Sequence, residues 1–203
     1  MRHRSARLDQ RARILWLAVA ILALFLPGTA EGHVPQGPVG GLTAGLAHPF
    51  SGLDHLMAML AVGIWGAQMG GRSIWTLPVT FPLVMTIGGV LGMAGVPLSH
   101  IETGIALSML VLGVAIVVAW HPPEWVALAV IAVFAICHGY AYGVELPNAA
   151  DPAAYATGFV TATGTIHVIG IGIGLSLGRL VDGWFSRGLG GGVAAAGLYF
   201  LFG

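Results

Sequence analysis

The sequence predicts an all-α membrane protein in which several helices cross the bilayer. Of the 203 residues, 57% are hydrophobic and only 8% are charged, whereas a soluble domain carries about 25% charged residues. The apolar residues gather in segments close to the ~20 residues that a spanning helix needs. Glycine occurs 32 times, and small residues at three- and four-residue spacing let helices pack closely in lipid. Together these observations indicate a polytopic fold.

Residues 1–32 are predicted to be a signal peptide that is removed from the mature protein. Residues 1–13 contain five arginines, and an uninterrupted apolar run of 13 residues follows. Small residues come next. This is the layout of a secretory signal, because the apolar part is too short to span a bilayer comfortably. Cleavage after Ala30 or Gly32 fits the pattern, and the second position would leave His33, with its free amine, as a metal-chelating N-terminus.

The mature chain, residues 33–203, is predicted to form one domain of six transmembrane helices. Six hydrophobic segments indicate these helices. They cover approximately residues 52–69, 76–95, 101–120, 124–143, 153–178 and 188–203.

The arginines predict how this domain is oriented. A cleaved signal peptide leaves the mature N-terminus in the periplasm, so the first, third and fifth loops are expected to be cytoplasmic. Arg72 lies in the first loop, and Arg179 and Arg187 lie in the fifth. The outer loops hold Glu145 and Asp151 but no arginine. This distribution follows the positive-inside rule for a bacterial inner-membrane protein.

Composition and missing motifs exclude several functions. The formal net charge is zero, and the mature chain has no run of basic residues, so we expect no nucleic-acid partner. The single cysteine, Cys137, rules out an internal disulfide and a cysteine-based zinc site. The sequence has no ATP-binding Gly-x-x-x-x-Gly-Lys-Ser/Thr motif, so any transport is passive, ion-coupled or driven by a partner. We expect no enzymatic activity, although a hydrolase that uses a metal-activated water is a third, weaker alternative.

The most polar stretch of the mature chain lies at the outer end of the first predicted span. His48, Asp54 and His55 fall within eight residues. Pro49 cannot donate a helical hydrogen bond and Gly52 loosens the backbone, so a turn is predicted between the histidines. Such a turn folds His48 back over the Asp54-His55 pair.

A simpler interpretation treats part of this stretch as a helix start. Ser51 and Asp54 have the spacing of a capping box that opens a helix at about Gly52. Ser99 and Glu102 have the same spacing before the third predicted span. Capping accounts for the serines and carboxylates, but it gives no role to the two imidazoles.

Other ionisable residues are expected on the same side as this stretch. His138 lies near the outer end of the fourth span, and Glu145 follows about two turns later on the same helical face. His167 lies deeper, about 21 Å into the fifth span. Ionisable residues inside a membrane are costly and usually mark a pathway for an ion or substrate.

The ligand types indicate which ion would use such a pathway. Imidazole and carboxylate without thiolate suit Ni²⁺, Co²⁺ or Zn²⁺, whereas Cu(I) prefers sulfur. The methionines lie in apolar runs and are interpreted as packing. Haem held by His55 and His138 is an alternative, but it gives no role to Asp54 or Glu145. We therefore expect a transported divalent metal and no tightly bound cofactor.

Three motifs, found in order, resemble the HupE/UreJ family. They are His48-Pro49-x-x-Gly52-x-Asp54-His55, His138-Gly139-x-Ala141-x-Gly143-x-Glu145 and Ala162-Thr163-x-x-x-His167-x-x-Gly170. The resemblance covers nearly the whole mature chain. It implies a permease for nickel or cobalt that is tied to hydrogenase or urease gene sets and their maturation proteins. The metal-binding residues that it implies are His48, Asp54, His55, His138, Glu145 and His167.

One departure from the family pattern concerns the ligands. The family often has histidine where this chain has Tyr142, and sometimes where it has Tyr140. A phenol is a poor Ni²⁺ ligand at neutral pH because its pKa is about 10.

The residues leave open a second interpretation of the function. In this interpretation the protein is a membrane metal-binding or assembly factor for a metalloenzyme and does not transport metal.

Overall fold

The computed structural model describes residues 38–146, 151–178 and 183–202, and the regular structure in these ranges is helical. The all-α prediction is therefore confirmed for this part of the chain. The predicted signal peptide and His33 lie outside it. The helices are α1 (Pro38–Ser51), α2 (Leu53–Met69), α3 (Ser73–Met93), α4 (Ile101–Val117), α5 (Glu124–Val144), α6 (Pro152–Gly178) and α7 (Trp184–Phe202).

The six predicted hydrophobic segments coincide in order with α2 to α7. Of the described helices, α3, α5 and α6 are each long and apolar enough to cross a membrane. The pair α1 and α2 meets the same criteria together, with a bend of 83° between its halves. Helix α4 is apolar but shorter, with 17 residues. These features are those of a multi-pass membrane protein.

Helix α2 occupies the centre of the packing. It contacts α3, α4, α6 and α7, and its residues from Ala58 to Ala67 are largely buried. Trp65 in this helix is fully buried, stacks on Trp120 at 5.8 Å and donates its indole N–H to the Trp120 carbonyl at 3.0 Å. Because α2 is enclosed, His55 in its first turn projects into the protein interior.

Helix α1 was not among the predicted segments, and it changes the position of the turn. The Gly/Pro-rich lead is helical as far as Ser51, with Pro49 inside the last turn. The chain bends at Gly52, whose backbone is extended (φ −117°, ψ 120°). A turn between His48 and His55 was correctly predicted, but it comes three residues after the proline.

Both predicted capping boxes are wrong. Ser51 donates its hydroxyl back to the His48 carbonyl at 2.6 Å, and α2 begins after Gly52 without a side-chain cap. Helix α4 begins after His100, which has a left-handed backbone (φ 63°) and no side-chain cap either. A capping side chain reaches its targets from an extended backbone, so the left-handed residue at this position is incompatible with the box.

Glycines hold the helix pairs close together. Around Gly88 and Gly139, an added Cβ atom would lie against backbone atoms of the facing helix in the α3/α5 pair. The same is true of Gly63 in the α2/α6 pair and Gly113 in the α4/α7 pair. The predicted role of glycine in close packing is therefore confirmed at these positions.

Adding a methyl group at one such contact is expected to destabilise the fold. Gly113→Ala should lower the free energy of unfolding by about 1–3 kcal/mol, because the Ala194 and Gly190 backbones must move apart. Gly172→Ala is the matched control in a helix with no neighbouring atom within 4 Å, and it should be neutral or stabilising by up to about 1 kcal/mol. Thermal unfolding in detergent measures both, and equal effects would contradict the packing role.

Candidate metal site

Three helices bring His48, His55 and His138 together, and we call these three residues the histidine cluster. The bend at Gly52 places the His48 ring 6.3 Å from the His55 ring, measured between centroids. Helix α5 contributes His138, whose ring lies 4.7 Å from that of His55 and nearly perpendicular to it. The structure thus assembles histidines that are up to 90 residues apart in the sequence.

Asp54 fixes the orientation and the tautomer of His55. The Asp54 Oδ1 atom lies 3.0 Å from His55 Nδ1 and also accepts the His55 backbone N–H at 2.7 Å. An ionised carboxylate only accepts hydrogen bonds, so the ring proton is on Nδ1. His55 Nε2 therefore carries a lone pair, and this atom is buried without a hydrogen-bond partner. A carboxylate behind a histidine is the usual support of a metal-binding imidazole.

Ser108 does the same for His138, from helix α4. The Ser108 hydroxyl donates to the Ile105 carbonyl at 2.6 Å and lies 2.9 Å from His138 Nε2. A hydroxyl has one proton, so it must accept the second bond from a protonated Nε2. His138 Nδ1 then carries the lone pair, and it is also buried without a partner. No local sequence signal selects Ser108, which lies 30 residues from His138.

Tyr142 adds a third unpartnered polar atom. Its ring lies 4.4 Å from His48 and 5.2 Å from His55, stacks on Phe159, and is fully buried. The Tyr142 hydroxyl has no hydrogen-bond partner. By contrast, the Tyr140 hydroxyl donates to the Val96 carbonyl at 2.8 Å. Of the two tyrosines that replace family histidines, Tyr142 alone is in contact with the cluster.

His48 and Glu145 bind each other. His48 Nε2 lies 3.2 Å from Glu145 Oε2, and the Tyr155 hydroxyl lies 2.9 Å from His48 Nδ1. Both ring nitrogens are therefore engaged, with Nε2–H donating to the carboxylate and the phenol donating to Nδ1. Glu145 directly follows α5, and burial raises the pKa of its carboxyl group. These bonds link His48 in α1 to the end of α5 and to α6.

The Phe81 ring connects His167 to the histidine cluster. The Phe81 ring is 5.4 Å from both the His138 and the His167 rings. His167 Nδ1 donates to the Pro78 carbonyl at 2.9 Å. That carbonyl lacks its usual helical donor because Pro82, four residues later, has no N–H. His167 Nε2 is consequently the lone-pair nitrogen, again buried without a partner.

All six predicted ligands lie in the described part of the chain, but they do not surround a single metal position. Asp54, His55 and His138 are neighbours, His48 is paired with Glu145, and His167 is separate. Among residues 38–146, 151–178 and 183–202, no three His, Cys, Asp or Glu side chains already surround a common metal position. What the cluster does offer is two neighbouring imidazole rings, each with one buried, unpartnered nitrogen and each held by a second residue.

Comparison with known proteins agrees with the sequence motifs. The family described as HupE / UreJ protein matches residues 19–200. Protein HupE from Rhizobium leguminosarum bv. viciae is 42% identical over 188 residues, which are 92% of this chain and 97% of the relative. No solved structure matches the chain. The match extends over most of both sequences, and the chain belongs to the HupE/UreJ family.

Proposed function

We propose that this chain is a secondary permease that takes up a divalent transition metal, with Ni²⁺ preferred over Co²⁺ and Zn²⁺, for the maturation of hydrogenase or urease. The observation that carries this proposal is the pair of free lone pairs on His55 Nε2 and His138 Nδ1. Each unsatisfied buried polar atom costs about 1–3 kcal/mol, which binding of a cation would offset. Imidazole nitrogen is a good ligand for this group of ions.

The remaining polar residues complete the proposed site. Asp54 and Ser108 hold the two ligand rings, and Asp54 adds a negative charge beside the ion. Two imidazoles fill only part of a coordination shell, so water and the pair His48 and Glu145 supply the other ligands. For this, His48 exchanges its bond to Glu145 for the ion. In the described structure that bond is intact, with His48 Nε2 3.2 Å from Glu145 Oε2.

His167 is proposed to receive the ion from the histidine cluster. The Phe81 ring contacts both the His138 and the His167 rings, and the His167 Nε2 atom is unpartnered. The ring of Phe81 is fully buried, so it must turn aside for an ion to pass. We propose no enzymatic step and no tightly bound cofactor, and the metal is cargo.

In this proposal, helices α2 to α7 cross the bacterial inner membrane after removal of the signal peptide, and the mature N-terminus is periplasmic. The histidine cluster then faces the periplasm. The arrangement is supported by the sequence positions of the arginines after the signal peptide: Arg72 lies between α2 and α3, and Arg179 and Arg187 lie between the end of α6 and the first turn of α7.

Uptake into sealed proteoliposomes separates the permease from a non-transporting metal-binding or assembly factor. Purified protein should accumulate Ni²⁺ inside vesicles at a rate that saturates with external metal. Protein-free vesicles are the control for leakage. Stoichiometric binding without accumulation would identify the second interpretation, the assembly factor.

Reporter fusions test the proposed orientation. A reporter placed after Gly71, beside Arg72, is expected to be active in the cytoplasm, and one placed after Pro97 should be active in the periplasm. The reason is the bias of arginine toward cytoplasmic loops. The reverse pattern would put the histidine cluster on the cytoplasmic side and refute uptake through it from the periplasm.

Removing the support of His55 should weaken metal binding. Asp54→Leu deletes the acceptor for His55 Nδ1–H, and loss of such a partner typically costs 10–100-fold in affinity. Asp54→Asn keeps an acceptor oxygen but no charge, so its loss should be smaller. Ser51→Ala, which removes only the bond to the His48 carbonyl, should retain wild-type affinity. Calorimetric titration with Ni²⁺ measures all three, and wild-type affinity in Asp54→Leu would show that Asp54 has no part in the site.

Uptake is expected to fall as the pH is lowered, because each proton that binds an imidazole nitrogen competes with the metal for it. The neutral ring that binds metal is present at high pH and is lost when the ring is protonated at low pH. Initial rates measured with the same pH on both sides of the vesicle membrane isolate this effect from any proton gradient. An uptake rate that rises as the pH falls would argue against imidazole ligands.

A further inference from the structure

Threonines on α6 show how hydroxyls are normally satisfied in this protein. Thr157, Thr161 and Thr165 each donate to the carbonyl four residues earlier, at 2.7–2.8 Å. All three are exposed on the helix. This bond within the helix is the common solution for a threonine hydroxyl that has no other partner.

Thr163 lies in the same helix but does not make this bond. It is completely buried, and its Oγ1 atom has no hydrogen-bond partner. The Phe159 carbonyl lies four residues earlier, so the same bond was open to it. Leaving a buried hydroxyl unsatisfied costs about 1–3 kcal/mol. The Thr163 hydroxyl therefore gives up an available local bond and is kept unpaired in the protein interior.

Thr163 and His167 lie one turn apart on the same helical face. His167 is also buried, and its Nε2 lone pair is unpartnered. No hydrogen bond joins the two side chains, although both atoms could take part in one. Two unsatisfied polar atoms at this spacing, one a nitrogen lone pair and one a hydroxyl oxygen, can both contact a single small polar species placed between them.

A regular column of side chains leads from the histidine cluster to this pair. Tyr155, Phe159, Thr163 and His167 follow one another at intervals of four residues, and all four are buried. Tyr155 bonds His48 and Phe159 stacks on Tyr142. From Tyr155 to His167 the helix rises about 18 Å.

We propose that Thr163 Oγ1 and His167 Nε2 form a second cation site, which a partly hydrated divalent transition metal occupies in transit. This inference rests on the proposed permease function and assigns the inner ligand set. The pair offers one neutral nitrogen and one hydroxyl without a carboxylate, so it binds the ion more weakly than the cluster beside Asp54. Conduction requires sites that an ion can leave as well as enter. A single buried water would fit the same two atoms, and the experiment must separate it from a cation.

Thr163→Val tests the hydroxyl while keeping the branched shape of the side chain. We expect uptake into proteoliposomes to slow at least about tenfold, as for other groups that support a metal site, with Ni²⁺ binding at the histidine cluster unchanged. The melting temperature should rise, because an unsatisfied hydroxyl is removed. Thr163→Ser, which keeps the hydroxyl, and Thr161→Val, which changes an exposed and satisfied threonine, should transport at the wild-type rate. Wild-type uptake by Thr163→Val, or a lower melting temperature accompanying its slower uptake, would overturn the site.

A spectroscopic measurement tests the ligands independently of transport. Adding Zn²⁺ alone to the full-length protein labelled with ¹⁵N-histidine should shift the His167 Nε2 resonance, and Thr163→Val should require more Zn²⁺ for the same shift. A Zn²⁺-insensitive His167 would mean that the two atoms hold water, and this would refute the inference. If the shift depends on Thr163 but the wild-type protein accumulates no metal in vesicles, the site stands and the permease function fails.

Discussion

Buried polar atoms in a membrane protein need partners, because lipid offers none, and the functional region of this protein is built around imidazoles that are satisfied on one side only. Asp54, the Ser108 hydroxyl and the Pro78 carbonyl each take up one ring nitrogen of a histidine. The other nitrogen of each ring is left bare in the interior. These bonds fix the tautomers of the three rings, so that at the proposed site ordering the ligands would cost little when an ion binds.

Glycine and proline residues that interrupt or thin the helices make this arrangement of histidines possible. Glycines remove side chains from the interfaces of the helix pairs, so that backbones approach closely enough to enclose the polar groups. Proline at position 82 removes one helical hydrogen bond and frees the Pro78 carbonyl for His167. The break at Gly52 turns α1 over α2 and brings His48 to His55. Packing and site therefore depend on the same irregular residues.

Much of this could be predicted from the sequence, because hydrophobic segments and ionisable residues within them are local signals. The positions of α2 to α7 and the six polar residues, His48 to His167, were visible in this way. Helix α1 was missed because three glycines and two prolines interrupt its hydrophobic pattern. Both predicted capping boxes were wrong, because the Ser51 hydroxyl bonds the His48 carbonyl instead and because His100 has a left-handed backbone. Ser108 could not be predicted as the partner of His138, since this contact exists only because α4 packs against α5. The four-residue spacing of Pro78 and Pro82 could have indicated that the Pro78 carbonyl is free, but not that His167 would donate to it.

In the proposed site, His55 and His138 present fixed, bare nitrogens to the metal. Nitrogen-15 spectra of the histidine rings test it directly, before and after addition of Zn²⁺. In the metal-free protein we predict protonated Nδ1 and bare Nε2 for His55, and the opposite for His138. The two bare nitrogens should then shift together as metal binds. Reversed tautomers, or metal-induced shifts at the protonated nitrogens, would contradict the account.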